Sequence, residues 1–141
     1  MVLVVGCAGV ASSVEAPEPA PTEHAVETAA ATIWEGVYTT EQAGRGQQVA
    51  LSICVECHSV SEWRGPGFIR LWEGRRVGDL YERICRTMPQ NDPGRLIPQE
   101  CADVVAYMLS LQDVPTGERQ RELPSDLEVL DAIFITPTEN Q

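Results

Sequence analysis

The chain has 141 residues, with 10 basic side chains against 21 acidic ones and a formal net charge of -11. This balance argues against nucleic-acid binding, because phosphate recognition needs a basic footprint. No stretch stays apolar over the ~20 residues that span a bilayer, and the length allows one domain of ~100 residues plus a leader. The charge is unevenly spread: every basic residue is arginine, and seven of them lie between Arg64 and Arg95 among only four acids, whereas both flanking segments are acidic.

The first residues are apolar and lead through Leu3-Val4-Val5-Gly6 to Cys7. This looks like the end of a bacterial lipoprotein signal, in which a cysteine after a small residue receives the lipid. An ordinary apolar terminus is the alternative. The start lacks a basic n-region, which leaves open whether Met1 begins the reading frame or lies inside a longer signal. From Ala8 to Thr32 the composition is Ala, Pro, Glu and Thr without apolar periodicity, which predicts a disordered, flexible tether. The expected organisation is a leader and tether over 1–33 and an ordered domain over 34–141, with a C-terminal extension from about Pro124.

Thr39 or Thr40 can cap a first helix, with Gln42 three residues after Thr39 in a capping-box pattern. Its apolar side runs through Ala43, Val49, Ala50 and Ile53 into Cys54-Val55-Glu56-Cys57-His58. A C-x-x-C-H run is the attachment signature of c-type haem. The spacing has a physical basis: residues three and four apart share a helix face, so two thiols can bond the haem vinyl groups while the imidazole reaches the iron. His58 is the expected proximal ligand.

The segment from Ser59 to Gly74, with Gly65-Pro66-Gly67, Trp63 and Trp72, reads as a loop over a large apolar object. A second helix is predicted from Arg76 to about Thr87, with Val77, Leu80, Tyr81, Ile84 and Cys85 on one stripe. It stops at Met88-Pro89, and Asn91-Asp92-Pro93-Gly94 marks a turn. Pro98 can open a third helix at its first position, with Cys101, Val104, Val105 and Met108 as its buried stripe. Nothing alternates with period two over a useful length, so the expected class is all-α. Cys85 and Cys101 bracket the Met88 loop and are candidates for a disulfide. Spacing alone equally allows two buried free thiols.

Iron held by His58 needs a sixth ligand or an open position. His24 lies in the tether, Met1 in the leader, and Met108 in a helix interior where methionine usually packs. Met88 stands where a proline halts its helix, on a loop that can bring the thioether over the haem, and His/Met ligation is a common electron-transfer arrangement. The central arginines are expected either near the haem propionates or on solvated helix faces.

These residues together resemble a class I c-type cytochrome from about Gly36 to Pro124. The matching pieces are Arg45-Gly46, Cys54-Val55-Glu56-Cys57-His58, Gly65-Pro66-Gly67-Phe68, Trp72-Glu73-Gly74, Thr87-Met88-Pro89 and Ala102-Asp103-Val104-Val105-Ala106-Tyr107. The resemblance implies a cytochrome c fold of three to four main helices around one covalently bound haem c, with His58 proximal and Met88 distal. It implies that the Pro66 carbonyl accepts the imidazole N–H, that Trp72 contacts a propionate, and that the first and third helices cross near Gly46 and Tyr107. The chain departs from the family pattern at Ala50, where an aromatic often stands, and in having Cys85 and Cys101.

The function this implies is one-electron transfer outside the cytosol. The expected setting is the periplasm, with a membrane anchor through Cys7, and the protein is a carrier rather than an enzyme. Similar domains partner periplasmic dehydrogenases, which makes a dehydrogenase the expected donor and an oxidase or another cytochrome the acceptor. Two alternatives belong to other classes: a haem enzyme with an open distal site, and a zinc or dithiol module using Cys54, Cys57, His58 and Cys85 or Cys101.

Overall fold

The computed structural model describes residues 31–118 and 121–137. Met1, Cys7 and His24, and with them most of the expected tether, lie outside these residues. The described chain is mostly helical, 56% with the 3-10 turns counted beside the five α-helices, in keeping with the expected all-α class. No helix among the described residues is long and apolar enough to cross a membrane.

Thr39 starts helix α1 (Thr40–Ile53), its hydroxyl accepting from the Gln42 backbone N–H at 3.0 Å. Ile53 is followed by a tighter 3-10 turn over Cys54–Glu56, and a second one spans Val60–Trp63. The segment expected to be a loop then holds a short helix, α2 (Pro66–Trp72), with Pro66 at its first turn and Phe68 and Ile69 buried. Proline fits there because its missing N–H would have had no partner. Helix α3 (Val77–Thr87) buries Val77, Leu80, Tyr81 and Ile84 of the predicted stripe, its fifth member Cys85 is half-buried, and Arg76 is the N-cap.

Helix α4 (Pro98–Ser110) begins at Pro98 as expected but buries every residue from Cys101 to Leu109. It is the central helix, packed against α1 on one side and enclosed elsewhere. The α1–α4 contact is close at Gly46, where a Cβ would overlap the Asp103 carbonyl; glycine lets the two backbones meet there. Arg45 beside it donates to Asp103 at 2.9 Å and to Glu122 at 2.7 Å.

Helix α3 also packs on α4, and the segment after α4 doubles back over the start of α1. Tyr38 donates its hydroxyl to the Val114 carbonyl at 2.6 Å, and the Gly117 N–H donates to the Tyr38 carbonyl at 2.7 Å. Gln42, fully buried, donates to the Leu123 carbonyl at 2.9 Å and accepts from the Leu123 N–H at 2.8 Å. Helix α5 (Leu127–Leu130) follows, and strand β2 (Ile133–Phe134) pairs in parallel with β1 (Ala31–Thr32). Because β1 and the fully buried Ile33 belong to the packed fold, the ordered part begins before the expected boundary at Trp34.

Candidate functional site

The α1 helix carries the chain into the C-x-x-C-H run, and the 3-10 turn holds the run's shape. The N–H groups of Cys57 and His58 both donate to the Cys54 carbonyl, at 3.1 and 2.9 Å. Cys54, Cys57 and His58 therefore share one wall of a cavity of about 460 Å³, within the ~300–1,000 Å³ usual for ligand and cofactor sites. Cys54 is half-buried and Cys57 exposed, and both are free thiols. Burial pushes the Cys54 thiol up from its ordinary pKa, because the low-dielectric surroundings penalise the thiolate.

Met88 lies on the same cavity, on the loop after α3. A residue before proline is driven out of the helical region by clash with the ring, and Met88 is extended at φ -118, ψ 148 while its N–H still closes the last turn on Ile84 at 3.1 Å. The chain thus leaves α3 with the thioether at the cavity. Cys85 and Cys101 are bonded to each other with Cα atoms 5.6 Å apart, which resolves the alternative left open by spacing and ties both ends of the loop that carries Met88.

The remaining wall is largely apolar, with Phe68, Leu71 and Trp72 from α2, Leu80 and Ile84 from α3, and Val104 from α4. Trp72 lines the cavity, with the Arg75 guanidinium 5.4 Å from its ring centre. Of the central arginines Arg83 lines the cavity, whereas Arg86 pairs with Glu82 along α3 at 3.2 Å. Met108 also reaches the cavity, so a residue read as helix packing is packing and lining at once.

Pro66 departs from its expected role. It is exposed at the start of α2 and lies off the cavity wall, and the imidazole partner is Glu62: His58 Nδ1 lies 3.0 Å from Glu62 Oε2. The reason is local. Ser59 caps the Val60–Trp63 turn and Glu62 closes its capping box, accepting the Ser59 N–H at 2.8 Å. The carboxylate is thereby one helical step from the ring. The Ser59 N–H, and after it the His58 contact, hold the Glu62 carboxyl below its ordinary pKa. Serine followed three residues later by glutamate, with that glutamate four residues after histidine, is a signal present in the sequence.

Two free thiols, an imidazole and two thioethers converge on this one apolar space. Such soft and borderline donors suit a transition metal rather than calcium or magnesium. The tetrahedral zinc set of Cys54, Cys57 and His58 lacks the cysteine expected as its fourth ligand, because Cys85 and Cys101 are consumed by their mutual bond. No group of three or more His, Cys, Asp or Glu is gathered as for a bare metal ion among the described residues. Comparison with family models, with curated proteins and with solved structures finds no match to this chain.

Proposed function

We propose that the chain is a one-electron carrier of the class I c-type cytochrome kind, holding one haem c. The observation that carries this reading is the meeting of Cys54, Cys57, His58 and Met88 at a single, mostly apolar cavity. Cys54 and Cys57 would hold the group covalently and His58 and Met88 would ligate its iron, with Trp72 and Arg83 on the same cavity. When bound, the haem supplies a single iron centre that gains or loses one electron.

This chain's residues determine how that chemistry is used. Neutral nitrogen and sulfur donors such as His58 and Met88 would favour the reduced state, and with both engaged the iron would have no place for oxygen or peroxide. The walls formed by Phe68, Leu80, Ile84 and Val104 exclude water, and the Cys85–Cys101 bond fastens the Met88 loop. A ligand that stays in place lets the oxidation state change with little rearrangement, which suits a carrier rather than a catalyst. The disulfide fits an oxidising compartment, so the proposed setting is the periplasm, with Cys7 as a lipid anchor. A dehydrogenase is the proposed electron donor and an oxidase or a second cytochrome the acceptor, in brief encounters over interfaces below ~1,200 Å².

The test is the visible spectrum of the haem-loaded protein beside Met88→Ala and Met108→Ala. The parent and Met108→Ala are expected to show low-spin iron with a sulfur-to-iron charge-transfer band, and Met88→Ala to lose that band while keeping its haem. A high-spin parent would instead indicate an open distal site and an enzyme. Loss of the band in Met108→Ala alone would transfer the ligand role to Met108.

A further inference from the structure

The proposed ligand set leaves one well-defined contact without a role. Glu62 lines the cavity beside His58, with Oε2 3.0 Å from the imidazole Nδ1 and its other oxygen accepting the Ser59 N–H at 2.8 Å. We propose that Glu62 is the positioning residue of His58: its carboxylate holds the ring by Nδ1, leaves the Nε2 lone pair for the metal, and makes the imidazole a stronger donor that lowers the reduction potential. This inference rests on the haem reading given above.

Three features of the site support it. Both carboxylate oxygens are engaged, one by backbone and one by the ring, so the acceptor is fixed in direction. The turn that carries it is itself anchored, because Trp63 is buried against the core and its carbonyl accepts from the Gln112 side chain. The Trp63 ring lies 5.8 Å from the imidazole, tilted by 48°, and restricts the ring's rotation. Metal-bound histidine commonly donates its second N–H to such an outer partner, which fixes the tautomer and raises ligand basicity. An ionised acceptor binds that N–H more strongly than a neutral carbonyl does. The pair is part-exposed, 35% for His58 and 52% for Glu62, so water competes for it and the effect stays moderate.

The competing role for Glu62 is the capping box alone. Glutamine also serves at that position, so Glu62→Gln preserves the cap and removes the charge. The control is Glu56→Gln, which deletes a carboxylate at the same cavity. The measurement is the midpoint potential of haem-loaded parent, Glu62→Gln and Glu56→Gln, with thermal melts to check folding. Glu62→Gln is expected to raise the potential by about a tenfold change in the redox equilibrium, ~59 mV for one electron, with a melting temperature close to the parent's and a clearly smaller shift in Glu56→Gln. A Glu62→Gln shift below about twofold, or one equalled by Glu56→Gln, would overturn the proposal while leaving the haem reading intact. A purified parent without haem would overturn both.

Discussion

The Cys85–Cys101 bond closes a loop with a sequence separation of 16 residues, from the end of α3 to the first turn of α4. In the chain-entropy model a loop of this length removes unfolded-state freedom equivalent to ~3 kcal/mol. For a domain of about this size each kcal/mol moves the melting temperature by ~4 °C or somewhat more, so breaking the bond should lower it by ~12 °C. The perturbation is reduction of the parent by excess dithiothreitol, and Cys85→Ala/Cys101→Ala serves as the permanent equivalent. Cys101 is fully buried, so the double variant adds a small packing loss that reduction does not. The assay is urea unfolding with and without reductant, since a change in midpoint at constant slope isolates stability. Because the bond fastens both ends of the Met88 loop, the oxidised Cys85→Ala/Cys101→Ala variant, with no reductant present to reach the iron, should also show a weaker charge-transfer band before global unfolding. A stability change below ~1 kcal/mol, or recovery of both thiols alkylated from unreduced denatured protein, would refute this reasoning.

The other predictions concern the packing of α1 against α4 and against the segment that follows it. Gln42→Ala leaves both backbone groups of Leu123 buried without their partner, and at ~1–3 kcal/mol for each such group the loss on urea unfolding should be about 3 kcal/mol; a loss under ~0.5 kcal/mol would mean that water replaces the side chain. Gly46→Ala should destabilise by ~1–3 kcal/mol or more, because its Cβ overlaps the Asp103 carbonyl; a melting temperature equal to the parent's would show that α1 and α4 can separate freely. The Glu122 carboxyl is held below its ordinary pKa of 4.5, chiefly by Arg45. Its stabilisation is therefore present above that value and is lost as pH falls through the lowered folded-state value. Thermal melts between about pH 7 and pH 3 should show a small deficit of Glu122→Gln at neutral pH that vanishes in acid; a constant deficit would contradict the linkage.

Elements governed by local chemistry were legible in the residues. Thr39 caps α1, Pro98 opens α4 and Pro89 ends α3, and Val77, Leu80, Tyr81 and Ile84 are buried as their spacing requires. Helix α2 was hidden because seven residues give too little periodicity, and Gly65-Pro66-Gly67 resembles a turn when Pro66 is in fact a helix start. The C-terminal extension was hidden for a different reason. Its hydrogen bonds reach residues far away in sequence, as in Tyr81 with Ser125 and Trp34 with Thr136, and no local pattern reports such pairs. At the site, the thiols, the imidazole and Met88 were each readable from a short motif. Glu62 was readable too, but the resemblance directed the imidazole to Pro66, whereas the Ser59 capping box brings the carboxylate to the ring first.

The most direct test of the account is the intact mass and visible spectrum of the chain matured in a host that attaches c-type haem. The account predicts one haem per chain, retained through denaturation and acidified-acetone extraction, and lost when Cys54 and Cys57 are both replaced by alanine. A product with the mass of the bare polypeptide, no Soret band, and Cys54 and Cys57 both open to alkylation would contradict it.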